Sequence, residues 1–183
     1  KDYHILSNIL NFYSRNKLDA EHEELLLHIL DLKNNEGIYI DDLLQFYGQA
    51  ISFLTRIKSY NAEKFIDALT SEKLPVEDVC KIKWNYYNAI GDIQNMYECI
   101  INIYERNNDF ENGYNKVVCE VKLMRYLEAL SNSLSLFNSL DDDKVKEKTK
   151  MMGMISDIYL FLNDNDNSFE WAKKAHELTS QNP

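Results

Sequence analysis

"YYNAIGDIQNMYECIINIYE", residues 86–105, decides how this chain folds. Gly91 is one of only five glycines in 183 residues, and it separates two runs whose apolar residues recur every three or four positions. Before it, Val79, Ile82, Tyr86 and Ile90 make one stripe; after it, Ile93, Met96, Ile100 and Ile103 make another. That period marks a helix with one buried face. Glycine carries no Cβ penalty in the left-handed conformation that ends a helix, and Asp92 can accept hydrogen bonds from the first free amides of the next. Two helices joined by a Gly-Asp turn are therefore expected, and so short a connection folds them back as an antiparallel hairpin. Pro75 fits the first position of the earlier helix, where its missing N–H costs nothing, and Glu77 and Asp78 place negative charge in the first turn.

The pattern recurs along the chain. "RYLEALSNSLSLFNSL", residues 125–140, follows an apolar helix around Tyr114, Val117, Val118, Val121 and Leu123. Further on, a helix with Met151, Ile155, Ile158, Tyr159 and Leu162 is paired across an Asn/Asp turn with one carrying Phe169, Ala172, Ala175 and Leu178. Turns at Gly91, Met124 and Asn163 lie 33 and then 39 residues apart, close to the period of a helix-turn-helix repeat, with the acidic insert "LDDDKVKEK" taking up the excess. Upstream, two looser hairpins turn near Asn16 and Lys17 and near Ser59 and Tyr60. The expected fold is all-α: a right-handed solenoid of about five antiparallel hairpins over residues 2–34, 38–70, 75–108, 110–140 and 144–180, forming a single domain across 1–183.

Composition removes several classes of function. A net charge of −10 opposes a phosphate-backbone binder, which needs clustered Lys and Arg, so direct nucleic-acid binding by this segment is not expected. No apolar run approaches the roughly 18 residues of a membrane span, and the reading is a cytoplasmic protein without membrane contact. Cys80, Cys99 and Cys119 form no CxxC pair and read as reduced core thiols. In "HEELLLH", His22 and His28 are six residues apart, which on a helix turns them about 240° from one another, unlike the four-residue spacing of HExxH. The acidic runs "LDDDK" and "NDNDN" lack the glycine and terminal glutamate of a calcium loop and read as turns and caps. Neither GxSxG, a P-loop nor GxGxxG occurs. No catalytic residue, metal or cofactor is expected.

These residues resemble the tetratricopeptide repeat (TPR). Tyr87 falls on the family's first-helix tyrosine, Gly91 and Asp92 on its Gly-Asp turn, and Met96, Ile100 and Ile103 on its second-helix packing positions. Tyr126, Glu128 and Ala129 match a Tyr-x-Glu-Ala step, while Ile155, Ser156, Tyr159, Ala172 and Ala175 echo the pattern in the last hairpin. Trp84 and Ser168 depart from it, standing where the family has small residues. The resemblance implies a non-catalytic module that holds a short peptide or protein tail in its concave groove, compatible with a homodimer. Lys81, Asn85 and Asn88, at steps of four and three on one helix face, are the groove residues it implies, joined in the same register by Gln49, Arg56, Tyr114 and Asp157. An Asn, Lys, Ile and Tyr-rich texture further resembles the sensor domains of bacterial peptide-pheromone-responsive transcriptional regulators, implying a quorum-sensing role. The alternative is a general TPR-type adaptor or scaffold.

Overall fold

The computed structural model describes residues 2–40 and 42–181, and among them the chain is entirely helical, without strands. Its elements are α1 (Asp2–Asn16), α2 (Asp19–Glu36), α3 (Leu43–Arg56), α4 (Ala62–Ser71), α5 (Val76–Ile90), α6 (Ile93–Tyr104), α7 (Phe110–Lys122), α8 (Tyr126–Asn138), α9 (Val145–Phe161) and α10 (Asn165–Gln181). They form two compact units, Lys1–Ile90 and Gly91–Pro183. The boundary falls on the Gly91 turn, so α5 closes the first unit and α6 opens the second.

One backbone device serves five of the turns. Lys17, Lys58, Gly91, Met124 and Asn163 all take the left-handed conformation, with φ between 57° and 76°. Only one of the five is glycine. At Gly91 an added Cβ would meet no atom within 4 Å, so the residue is required by its dihedral and not by crowding. Asp92 then caps α6, its carboxylate accepting from the Asn95 backbone amide at 3.1 Å and from the Asn95 side-chain amide at 2.7 Å. Asp42, Asp109 and Asp164 cap α3, α7 and α10 in the same way, which gives the last aspartate run its structural use. The start of α5 differs by one residue from the expectation. Val76 is its first helical residue, and Pro75 stands just outside, its carbonyl accepting from the Val79 amide at 3.1 Å.

In the first unit α1 packs on α2, and α3 packs on both α4 and α5. Leu26 and Ile29 of α2, Phe46, Tyr47 and Leu54 of α3, and Phe65 and Leu69 of α4 share one apolar core. Each such burial contributes about 1.5–3 kcal/mol of transfer free energy. The Tyr47 hydroxyl donates to Glu72 at 3.1 Å, and Lys33 of α2 pairs with the same carboxylate. Burial, then the Glu72 charge and hydrogen bond, push the Tyr47 phenol well above its ordinary range.

In the second unit each helix from α6 to α9 packs on its successor. Val117, Ala129 and Ile158 form one apolar knot, and Leu136, Met151 and Ile155 another. Trp171 of α10 meets Phe137 of α8 edge-on, with ring centroids 5.2 Å apart. The two serines at the α9–α10 crossing interlock, Ser156 donating to the Ser168 carbonyl at 2.8 Å. The two hydroxyls also lie 3.1 Å apart, and that contact gives the Ser168 side chain, which departs from the repeat pattern, a packing role.

Candidate functional site

Gly48, Ser52 and Arg56 recur at steps of four along α3 and therefore share one face. On one side of that face lies a cavity of about 560 Å³, closed by Leu10, Asn11 and Ser14 of α1 and by His22 of α2. On the other lies a cavity of about 820 Å³, with Ile82, Asn85, Tyr86, Ala89 and Ile90 of α5 opposite Ile51 and Thr55 of α3. Gly48, Ser52 and Arg56 line both cavities, so the two share this face of α3 as a common wall. The nearest side-chain atom to a Cβ built at Gly48 is the Ile82 Cδ1, at 3.7 Å.

The rim of the larger cavity is held by the α3–α4 turn. Lys58 is its left-handed residue. The Ser59 hydroxyl and the Asn61 amide both donate to Glu23 of α2, the latter at 2.7 Å. That clamp fixes the backbone carrying Lys58 and the exposed Tyr60 at the cavity mouth.

The chain has 30 acidic and 20 basic residues, and two of its carboxylates, Asp19 and Glu23, bond to the cavity rim at Arg56 and Ser59. The charged side chains lining the two cavities are Arg56 and Lys58, and no carboxylate is among the lining residues. Arg56 reaches Asp19 at 3.1 Å and lies over the Phe53 ring, 5.1 Å from its centroid. His22 also stacks on Phe53, with ring centroids 3.9 Å apart, and its Nδ1 is buried without a hydrogen-bond partner. Burial lowers the His22 pKa below 6.5; Asp19 opposes that shift and Arg56 adds to it.

Of the residues anticipated for the groove, the structure brings Gln49, Arg56 and Asn85 together along these cavities. Lys81 and Asn88 are exposed on α5 outside both linings, and Lys81 pairs with Glu77 at 2.6 Å. Tyr114 of α7 and Asp157 of α9 belong to the second unit, Tyr114 beneath the Lys150 ammonium at 3.8 Å from the ring centroid. Sequence reasoning missed Gly48, Ser52, Lys58 and His22. The first two carried a legible signal, small residues four apart on an otherwise bulky helix.

The second unit holds a different polar assembly. Glu120 of α7 is fully buried, and its Oε1 accepts from the Lys116 ammonium and the Asn132 amide at 2.8 Å each and from the Tyr97 hydroxyl at 3.2 Å. Burial, then Glu120, pushes the Tyr97 phenol up to about 12. Cys119 beside it is likewise raised, to about 11, chiefly by burial, so it presents no thiolate near neutrality. Among the described residues no three His, Cys, Asp or Glu side chains stand close enough to hold a metal ion, and no helix is long and apolar enough to cross a membrane.

The chain has the TPR-like helical repeat fold, shown by solved structures that match it along nearly its whole length. A kinesin light chain from Podosopora anserina with nearly identical TPR-like repeats superposes with a TM-score of 0.66 at 11% identity, covering 97% of this chain and 95% of that one. MamA from AMB-1 gives 0.62 at 14% identity over 98% and 94%. BtubC (BKLC) from P. vanneervenii gives 0.60 at 12% identity over 96% and 79%. No family model matches the sequence, and no curated protein does.

Proposed function

We propose that this chain is a non-catalytic interaction module whose first unit binds an extended segment of a partner protein in the groove across α3. The observation that carries this reading is the Gly48, Ser52 and Arg56 face shared by two cavities of about 560 and 820 Å³. Each cavity is of the size that takes a few side chains. Gln49 and Asn85 flank the crossing, and each side-chain amide offers a donor and an acceptor, which suits the alternating groups of an extended backbone. Lys81 and Asn88, exposed on α5, extend the candidate surface of this unit beyond the cavities.

The test uses a peptide selected by the wild-type chain from an array of immobilised octapeptides. Ser52 is exposed, so Ser52→Trp fills the crossing without disturbing the core. Calorimetry is expected to show at least about a tenfold loss of affinity with an unchanged thermal midpoint. Unchanged affinity would remove the groove from the account. The sensor-domain form of the reading adds one requirement, that groove occupancy alters DNA binding by a linked segment of the same protein, which a mobility-shift titration with the selected peptide measures.

A further inference from the structure

We propose that the cavity between α1 and α3 is a small-molecule site for an uncharged, polyhydroxylated ligand, a free sugar or sugar alcohol. This ligand is additional to the peptide proposed above, and what points to it is a difference in chemistry between the two cavities that meet at Gly48, Ser52 and Arg56.

The larger cavity is walled mainly by apolar side chains, among them Ile51, Ala62, Ile82 and Ile90. The smaller one is not. Asn11 and Ser14 of α1, His22 of α2, and Gln49 and Ser52 of α3 give it a polar lining. Among the described residues, the side chains of Asn11, Ser14, Gln49 and Ser52 make no hydrogen bond to the protein. Elsewhere the same residue types are engaged by their own helices: Asn16 and Asn102 donate to carbonyls four residues back, and Ser71 and Ser139 to carbonyls three back. Two amides and two hydroxyls from facing helices thus converge on a space of about 560 Å³, within the range of small-ligand cavities. Each of the four both donates and accepts, which matches a ligand hydroxyl that does the same. A hydroxyl that replaces solvent there breaks no bond within the protein.

Charge favours an uncharged ligand. Arg56 is the charged side chain of this lining, and Asp19 of α2 already meets its guanidinium at 3.1 Å. The Glu23 carboxylate is taken by Ser59 and Asn61, and Lys58 lines the other cavity. His22 is nine-tenths buried, and its Nδ1 is left without a partner. Burial holds its pKa below 6.5, Asp19 opposing and Arg56 adding to that shift, so the ring carries no charge near neutrality. An anion would have to displace Asp19, and a cation would face Arg56. Phe53, the phenyl ring of the lining, is buried and already stacked by His22, so a planar heterocycle finds no open ring to lie on.

Saturation-transfer-difference NMR on the full chain tests the site with glucose, maltose, N-acetylglucosamine, myo-inositol and sorbitol, beside the charged glucuronate and glucosamine. At least one uncharged compound is expected to bind, with its affinity lowered at least about tenfold by Asn11→Leu and by Gln49→Leu. Both residues are exposed, so the thermal midpoint is expected to stay unchanged. Equal affinity in wild type and both variants overturns the site. Tighter binding of glucuronate or glucosamine than of every uncharged compound overturns the ligand class, and binding of none overturns the inference as a whole. Asn11 lies outside the lining of the larger cavity, which keeps the two readings apart. Array-selected peptide retained with no sugar bound overturns this inference alone; sugar bound and sensitive to Asn11→Leu with no peptide retained supports it and removes the peptide groove.

Discussion

In the first unit Tyr47 of α3 donates to Glu72, which Lys33 pairs; in the second, Tyr97 of α6 donates to Glu120, which Lys116 and Asn132 hold. The chemistry is the same and the placement is not. The Glu72 side chain keeps 20% of its surface, just past the end of α4, whereas Glu120 keeps none and its Oε2 is buried without a partner. A tie at the edge leaves the outer face of α3 free to line a groove. A tie at the centre instead binds α6, α7 and α8 to one another, and the small cavity beside it, about 180 Å³ with Lys116 and Asn132 in its wall, has no room for a partner segment. On the proposed reading recognition falls to the first unit, while the buried tie braces α6, α7 and α8 of the second.

Removing the two carboxylates is the sharpest way to break that comparison. Glu120→Ala takes the acceptor from the Lys116 ammonium and the Asn132 amide, while Tyr97 keeps Glu128 at 3.1 Å, and is expected to cost about 3 kcal/mol in urea denaturation. Glu72→Ala, with water at hand, is expected to cost about 1 kcal/mol. Equal costs would mean that the buried tie is not what organises the second unit.

The helical glycines make a second contrast. At Gly113 of α7 a Cβ would sit 3.0 Å from Leu136 Cδ2 and 3.1 Å from a Tyr104 ring carbon, while at Gly48 the nearest atom is 3.7 Å away. Gly48→Ala should therefore gain helix propensity, up to about 1 kcal/mol. Gly113→Ala should lose about the same amount through overpacking. Thermal melts of the two variants shift in opposite directions if the close crossing belongs to the second unit alone.

The smallest effect is a pH slope. His22 is held below 6.5 when folded, chiefly by burial, so as the pH falls through 6.5 the unfolded chain takes up a proton that the folded chain does not. Its contribution is fully present above about 6.5 and is lost as the pH falls toward the folded value. His22→Phe retains the stack on Phe53 and should flatten the stability profile between pH 5 and 7. A slope that survives the substitution would assign it to other groups.

How much of this was legible in the sequence depends on where the physical cause was local. The hairpin turn at Gly91 could be read because a glycine and a capping aspartate are neighbours in the chain. The turns at Lys17, Lys58 and Met124 use the same left-handed backbone without glycine, so only the change of apolar register marked them, and the Ser59–Tyr60 estimate fell just past Lys58. Helical period placed Asn85 on the same face as Lys81 and Asn88, but period cannot say how deep a cavity reaches. Asn85 lines one and its two neighbours on the stripe do not. Nothing in the sequence marked Glu120, because its partners come from three helices. Burial of that kind is a property of packing, which no window of sequence contains.

Hydrogen exchange measured by mass spectrometry on the full chain, with and without the array-selected peptide, tests the central claim most directly. The account predicts slowed exchange in segments 45–60 and 80–90, from α3, its following turn and α5, with α7 to α9 unchanged. Protection across 110–161 without protection on α3 would contradict it.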